Sequence, residues 1–132
     1  MNFILEGIIP SKKNSRRMIM RGGRKFSVPS VNHEQWARDK KWELNVQKAL
    51  YRSEIELPVN TPVKIDVLFG TASKRKWDLS NKFESIADLL VDTAILSDDN
   101  YTILRHVNLS FDPTLNKDIA YVSIELLDSD NE

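Results

Sequence analysis

The stretch KWDLSNKFESIADLLVD, residues 76–92, decides the fold. When it is wound at about 100° per residue, four apolar side chains fall within an arc of roughly 60°. These four are Leu79, Phe83, Ile86 and Leu90. The spacing predicts an amphipathic helix from about Asp78 to Thr93 that turns this face toward the core.

The polar side chains of the same stretch gather on the opposite face of the predicted helix. They are Asp78, Asn81, Glu84 and Asp88. Asp78 stands where an N-cap carboxylate can accept hydrogen bonds from free backbone amides, which is a sufficient structural reason for it. The other acidic residues need a different explanation.

Outward from this helix, the pattern alternates between strands and turns. Val63–Phe69 places every second apolar residue on one side, which is typical of a half-buried strand. Gly22-Gly23 between two short β-like runs predicts a hairpin. Further strands are predicted at 2–9, 101–111 and 118–127, and a first helix follows Pro29 and runs to about Arg52. We therefore predict one α+β domain over residues 1–132, in the order β-hairpin-α-β-α-β-β, with two helices packed on a mixed sheet.

The first helix carries an apolar stripe and a basic stripe. Trp42, Val46, Ala49 and Leu50 recur at helical spacing and are expected to face the core, together with Trp36. The basic stripe consists of Arg38, Lys41, Lys48 and Arg52, with Asn45 between them. Solvation is the favoured interpretation of this stripe over a nucleic-acid surface.

Composition and charge exclude several classes of protein. Of 132 residues, 41% are hydrophobic and 29% charged, and there is no cysteine. Disulfides and thiolate sites are therefore excluded, and any metal needs oxygen or histidine ligands. No run approaches the roughly 20 apolar residues of a membrane span, so we expect a cytoplasmic protein.

Charge is unevenly distributed along the chain. Residues 1–25 hold seven basic residues and one acidic residue, whereas residues 83–132 hold two basic and eleven acidic residues. The first part, with a basic, mobile loop and hairpin at 11–25, suits a polyanion; the second suits divalent cations or solubility, and its end, 128–132, is expected to fray.

A second acidic motif, Ser97-Asp98-Asp99-Asn100, follows the predicted helix. A pocket that gathered Asp78, Asp98 and Asp99 would need a counter-charge, and Mg²⁺ or Mn²⁺ is the cation that such oxygen ligands favour. Solvated acids and a turn-forming Asp-Asp-Asn are the alternative.

Three landmarks resemble the RusA family of Holliday-junction resolvases. Pro10-Ser11 with Asn14 is similar to the family's N-terminal segment, Asp78-Leu79-Ser80-Asn81 to its Asp-x-Asp-Asn signature, and Asp98-Asp99 to its second acidic pair. The similarity extends over most of the chain. It implies a Mg²⁺-dependent endonuclease that resolves four-way DNA junctions in recombination and repair, acts as a homodimer, and is encoded by a bacterium or prophage.

Carried over by position, Asp78 and Asp99 match residues that bind the catalytic metal in the family, and Asp98 is the first member of the matching pair. Two positions depart from the pattern, because Ser80 replaces a second aspartate and Glu84 replaces a lysine. We expect a rebuilt site, in which Asp78, Asp98, Asp99 and Glu84 are catalytic and Asp88 joins them as metal ligands. Loss of catalysis, which leaves a junction-binding protein, is the alternative, and a protein-interaction adaptor is a third.

DNA contacts are expected from two basic segments and the start of the second helix. They comprise Lys12, Lys13, Asn14, Arg16, Arg17, Lys74, Arg75, Lys76, Asn81 and Lys82. Lys82, Lys74 or Lys76 could also supply the positive charge that the missing lysine would provide. Trp77 could stack on a base or pack in the fold, whereas Tyr101 is expected to pack across strands.

Overall fold

A computed structural model describes residues 1–11, 16–29 and 31–127. Lys12, Lys13 and Asn14 therefore lie outside the described residues, as does the acidic tail 128–132. Arg16 and Arg17 lie in a described strand, but their side chains are not described. The predicted loop contacts to DNA from this segment stay predictions.

The described elements follow the predicted order of a strand, a hairpin, a helix, a strand, a helix and two strands. They are β1 (Asn2–Glu6), β2 (Arg16–Arg21), β3 (Arg24–Pro29), α1 (Val31–Lys48), β4 (Val63–Gly70), α2 (Leu79–Asp92), β5 (Leu104–Phe111) and β6 (Ile119–Leu126). A single 3₁₀ turn, Ala49–Tyr51, extends α1. The predicted element order is confirmed.

One four-stranded sheet organises the domain, in the order β1-β6-β4-β5. β6 pairs antiparallel with both β1 and β4, whereas β4 and β5 are parallel, with Val63 opposite Leu104 and Phe69 opposite Phe111. Parallel neighbours need a crossover, and α2 supplies it. The sheet is therefore mixed, and the predicted α+β class is confirmed.

The core lies between the two helices and the sheet, and it includes Trp36 and Leu44 of α1. Val63, Ile65, Val67 and Phe69 of β4 are all buried, as their alternation predicts. The inward face of α2 is also as predicted: Ile86, Leu89 and Leu90 are buried, and Leu79 and Phe83 pack partly buried against the same cluster.

The predicted inward face of α1 is wrong. Trp42, Val46 and Leu50 are 71%, 55% and 73% exposed, and Ala49 is exposed too. The prediction for Trp36 is confirmed, because this residue is buried. Among the described side chains of the helix, Leu44 and Lys48 are the other buried residues.

Two lysine side chains on the inward face of α1 explain this error. The inward face of α1 contains Lys48, which is buried, and Lys40, whose side chain is only 12% exposed. The Lys48 ammonium donates a hydrogen bond to the carbonyl oxygen of Thr93 at 2.6 Å, and that of Lys40 bonds Glu43 at 2.9 Å. Aliphatic lysine stems can line a core while their charged ends reach polar partners, so a hydropathy pattern assigns such a face to solvent.

The two edges of the sheet differ. Gln47 both donates to the carbonyl oxygen of Ile4 at 2.9 Å and accepts from its amide at 2.8 Å. The Tyr51 hydroxyl bonds the backbone of Asn2 in the same way, at 3.2 and 3.0 Å. α1 thus caps the β1 edge. Among the described residues, β5 pairs with β4 alone, and its outer edge has no strand beside it.

Within the described ranges, none of the helices combines the length and the apolar character needed to cross a bilayer.

Candidate functional site

An open cleft of about 1040 Å³ lies beyond the C-terminal end of β4. Its walls come from the exit of β1, the loop 71–78, the start of α2, and the residue that precedes β6. Its charged lining residues are Lys74, Arg75, Lys76, Asp78, Lys82 and Asp118, and Asn81 lies among them. The DNA-binding candidates whose side chains are described, Lys74, Arg75, Lys76, Asn81 and Lys82, thus line the same cleft as Asp78.

The three loop cations of this cleft are exposed. Lys74, Arg75 and Lys76 each lie on the surface of the loop that precedes α2. Exposed ammonium and guanidinium groups close together on one loop repel each other and favour a bound polyanion. Asp118 was not identified from the sequence as a member of this cleft.

Asp118 shapes the loop that carries those cations. Its carboxylate accepts hydrogen bonds from the Thr71 hydroxyl at 3.2 Å and from the Ala72 amide at 3.1 Å. The partners are more than 45 residues apart in the chain, and no local spacing connects them, so sequence patterns carry no signal for this contact.

Gly70 brings the same two loops into close contact. A Cβ atom placed on Gly70 would lie 2.7 Å from the Leu115 Cβ and 2.9 Å from the Lys117 carbonyl oxygen. Only glycine therefore fits here without displacement of the loop that leads to Asp118.

Asp78 occupies the N-cap position of α2, with an extended backbone at φ −94° and ψ 132°. Its carboxylate makes no capping hydrogen bond to the helix backbone. It accepts instead from the Asn81 side-chain amide at 3.2 Å and is exposed. The capping explanation for this carboxylate is therefore wrong, and the predicted proximity of Asp78 and Asn81 is present.

Trp77, beside Asp78, packs in an aromatic cluster. Its ring meets those of Phe69 and Phe111 edge to face, with centroids 5.4 and 6.0 Å apart. The Lys82 ammonium lies 5.1 Å from the Trp77 ring centroid. These contacts favour the packing interpretation of Trp77 over base stacking.

Lys82 is the one cation of the described cleft lining that is half-buried rather than exposed. Its ammonium donates a short hydrogen bond to the Ile9 carbonyl oxygen. Burial lowers the pKa of Lys82 below its ordinary value; the nearby Asp118 carboxylate opposes that shift, and Arg75 adds to it.

Side chains of the acidic turn after α2 form local hydrogen bonds to the backbone of the turn. The Asp98 carboxylate accepts from the Asp99 amide at 2.7 Å, and the Asn100 side chain accepts from the Thr102 amide at 2.9 Å. Both are short side-chain-to-backbone bonds that stabilise turns. β5 consequently begins at Leu104 rather than at 101, and Tyr101 is 80% exposed, so its predicted cross-strand packing is wrong.

Backbone contacts place this turn at the start of β4. The Ser97 amide donates to the Val59 carbonyl at 3.0 Å, and the Val63 amide to the Ile103 carbonyl at 2.7 Å. Asp78, by contrast, follows Trp77, which contacts Phe69 at the end of β4.

Asp78 and the Asp98-Asp99 pair therefore lie at opposite ends of the sheet. The 14 residues of α2 separate them, which corresponds to roughly 21 Å at about 1.5 Å per residue. Glu84 and Asp88, on the outward side of α2, lie roughly 9 and 15 Å along the axis from Asp78.

The five candidate metal ligands do not converge within one chain. In the part of the chain that the structure describes, no three Asp, Glu or His side chains come close enough to share a metal ion. Carboxylates are ligands that Mg²⁺ and Mn²⁺ prefer, but in a single copy these five carboxylates lie too far apart to bind one ion together. Their assignment as ligands stays a prediction.

Comparison with proteins of known function supports the resemblance drawn from the motifs. The chain is 24% identical over 98 residues to the crossover junction endodeoxyribonuclease RusA of Aquifex aeolicus (strain VF5). The aligned part is 74% of this chain and 71% of that enzyme. No protein-family model matches the chain. The similarity to a RusA protein, expected from the motifs, is confirmed.

Proposed function

We propose that this protein is an endonuclease that binds and cuts branched DNA, with the four-way junction as its substrate. One observation carries the proposal: the cleft at the end of β4 brings three exposed loop cations, Lys74, Arg75 and Lys76, together with the carboxylate of Asp78. A phosphate backbone is the polyanion that such a cleft suits. The similarity to a junction endonuclease supports the same substrate.

The loop cations position the DNA rather than read its sequence. Lysine and arginine contacts to phosphate give affinity and orientation but little base specificity. Affinity should therefore fall steeply with salt, by a slope of about 0.9 per neutralised phosphate on a log-log plot.

The proposal requires two copies of the chain. The acidic pair lies at the far end of α2 from Asp78, so a single copy leaves each carboxylate group incomplete. A two-fold axis that sets α2 antiparallel to its copy brings Asp78 of one protomer toward the acidic pair of the other. Dependence on Mg²⁺ or Mn²⁺ is proposed only for this two-copy site.

The uncapped β5 edge offers a way to form such a pair. Its backbone donors and acceptors face outward beside Val107 and Phe111, which are 42% and 43% exposed. Antiparallel pairing of two β5 edges continues the sheet across the two-fold axis and sets the two copies of α2 antiparallel. The same two-fold arrangement suits symmetric cutting of a four-way junction.

Mixing inactive subunits tests the two-copy site directly. Asp78→Asn and Asp99→Asn homodimers should each fail to cut a synthetic four-way junction in Mg²⁺ or Mn²⁺. A mixed dimer of the two variants contains one site with both carboxylates, so it should regain nicking at one strand. If the mixture stays as inactive as its parents while each variant still binds the junction, the two-copy site is wrong.

A junction-binding protein without cleavage is the second candidate. Ser80 and Glu84 in place of the usual aspartate and lysine favour it, together with the lack of a cluster of three carboxylates among residues 1–11, 16–29 and 31–127 of one copy. Wild-type protein that shifts a four-way junction at low salt, and never nicks it with either metal, would establish this function in place of the first.

A further inference from the structure

We propose that Lys82 is a positioning residue of the cleft and not one of its DNA contacts: its ammonium holds the exit of β1 and the Trp77 ring against α2. The inference rests on the proposed function only for its DNA-binding readout.

Lys82 joins segments that are distant in the chain. Its ammonium donates to the Ile9 carbonyl oxygen and lies 5.1 Å from the centroid of the Trp77 ring. The β1 exit and the loop before α2 thus both contact one side chain.

Ser85, one turn further along α2, adds a second anchor. Its hydroxyl donates to the Pro10 carbonyl oxygen at 2.7 Å, and the residue is only 1% exposed. β1 ends at Glu6, so the carbonyls of Ile9 and Pro10 lie beyond the sheet ladder. Two successive carbonyls are therefore held by two successive turns of one helix, which aligns the β1 exit with the helix that Asp78 begins.

These contacts compete with any contact from Lys82 to a phosphate. To reach a phosphate, the ammonium would have to leave the Ile9 carbonyl, which would then lose its charged donor, and leave the face of Trp77. Lys74 and Lys76 are exposed on the same cleft and meet no comparable barrier. Direct phosphate contacts are thus assigned to the loop lysines, and the cleft geometry to Lys82.

The salt dependence of junction binding separates the two roles. Lys76→Met, the matched control, should lower the log-log salt slope by about 0.9, because one phosphate contact is lost. Lys82→Met retains the length of the stem and should weaken binding several-fold with the slope unchanged. A slope that falls for Lys82→Met as it does for Lys76→Met would overturn the inference, as would unchanged affinity.

A DNA-free measurement keeps the inference testable by itself. In two-dimensional NMR spectra, Lys82→Met should shift the backbone resonances of residues 7–11 and the indole resonance of Trp77, whereas Lys76→Met should leave residues 7–11 unchanged. Unshifted resonances in Lys82→Met would contradict the positioning role whether or not the protein cuts DNA.

A conservative variant covers the case in which Lys82→Met does not fold. Lys82→Gln keeps a donor for the Ile9 carbonyl but removes the charge. It should retain the wild-type salt slope and bind better than Ser85→Ala, which loses the neighbouring anchor. A reduced slope in Lys82→Gln would identify a phosphate contact and reject the proposal.

Discussion

The two ends of α2 differ in both charge and architecture. At its start, Asp78 faces an open cleft among exposed cations; at its far end, Asp98 and Asp99 sit in a tight turn held by short side-chain-to-backbone bonds. In sequence, the two acidic motifs look like halves of one site. In the fold, the crossover between parallel strands carries the chain the length of the sheet before the second motif begins. Under the proposed function, one of the two acidic motifs must therefore come from a second copy.

The largest expected effect is the loss of cleavage when Asp78, at the start of α2, is replaced. Asp78→Asn should reduce junction cleavage by about 100-fold or more, the scale on which a positioned catalytic group acts, and leave junction affinity near that of wild type. Single-turnover cleavage and gel-shift assays measure the two quantities. Asp39→Asn, at an exposed carboxylate of α1, is the charge-matched control and should cut normally; equal activity of both variants would remove Asp78 from the site.

The next largest effect is expected on stability, from a change in packing at Gly70 beside the cleft. Gly70→Ala should lower the free energy of unfolding by about 1–3 kcal/mol, because the added methyl group overpacks the contact with Leu115 and Lys117. Urea unfolding measures this change. Gly23→Ala, in the hairpin turn at φ +76° with open space around it, should cost about 1–2 kcal/mol through backbone strain alone. If Gly70→Ala matched wild type in stability, the two loops would be less tightly packed than described.

At the far end of α2, Lys48 bonds the Thr93 carbonyl, and it should affect how the stability of the protein changes with pH. Burial, with a smaller contribution from Arg52, lowers the pKa of Lys48 below 10.5. The unfolded chain therefore binds more protons than the native state just below pH 10.5, so this residue makes stability rise as pH increases toward that value. Lys48→Met should flatten this rise of the free energy of unfolding, measured by urea unfolding as the pH approaches 10.5 from below. An unchanged pH slope would show that Lys48 is not buried as a cation.

The smallest effect on stability and cleavage is expected on α1, away from both ends of α2. Trp42→Ser on the outer face of α1 should change the free energy of unfolding by no more than about 0.5 kcal/mol and leave cleavage untouched, because the side chain is already exposed. Leu44→Ala, two residues along on the buried face, should cost about 2–5 kcal/mol. Thermal or urea unfolding of the pair checks the corrected orientation of α1; a larger cost for Trp42→Ser would restore the orientation expected from hydropathy.

Sequence patterns were sufficient where one apolar period dominated. The alternation of Val63 to Phe69 and the stripe from Leu79 to Leu90 identified a buried strand and a buried helix face, since no polar residue competes with them there. The same reasoning predicted the wrong inward face for α1, because the aliphatic stems of Lys40 and Lys48 lie on that face. The cleft was partly predictable: its lysines and Asp78 are adjacent in the chain, whereas Asp118 reaches Thr71 only through the fold.

By itself, the sequence determined the class of the domain, the order of its elements and the residue types capable of phosphate and cation chemistry, because periodicity and charge are local properties of the chain. The tertiary structure alone decided which of these residues meet. It tied Lys82 to Ile9 and set Asp78 and Asp99 at opposite ends of α2. Distances between segments depend on strand pairing and crossover length, and neither is encoded in the spacing of a motif.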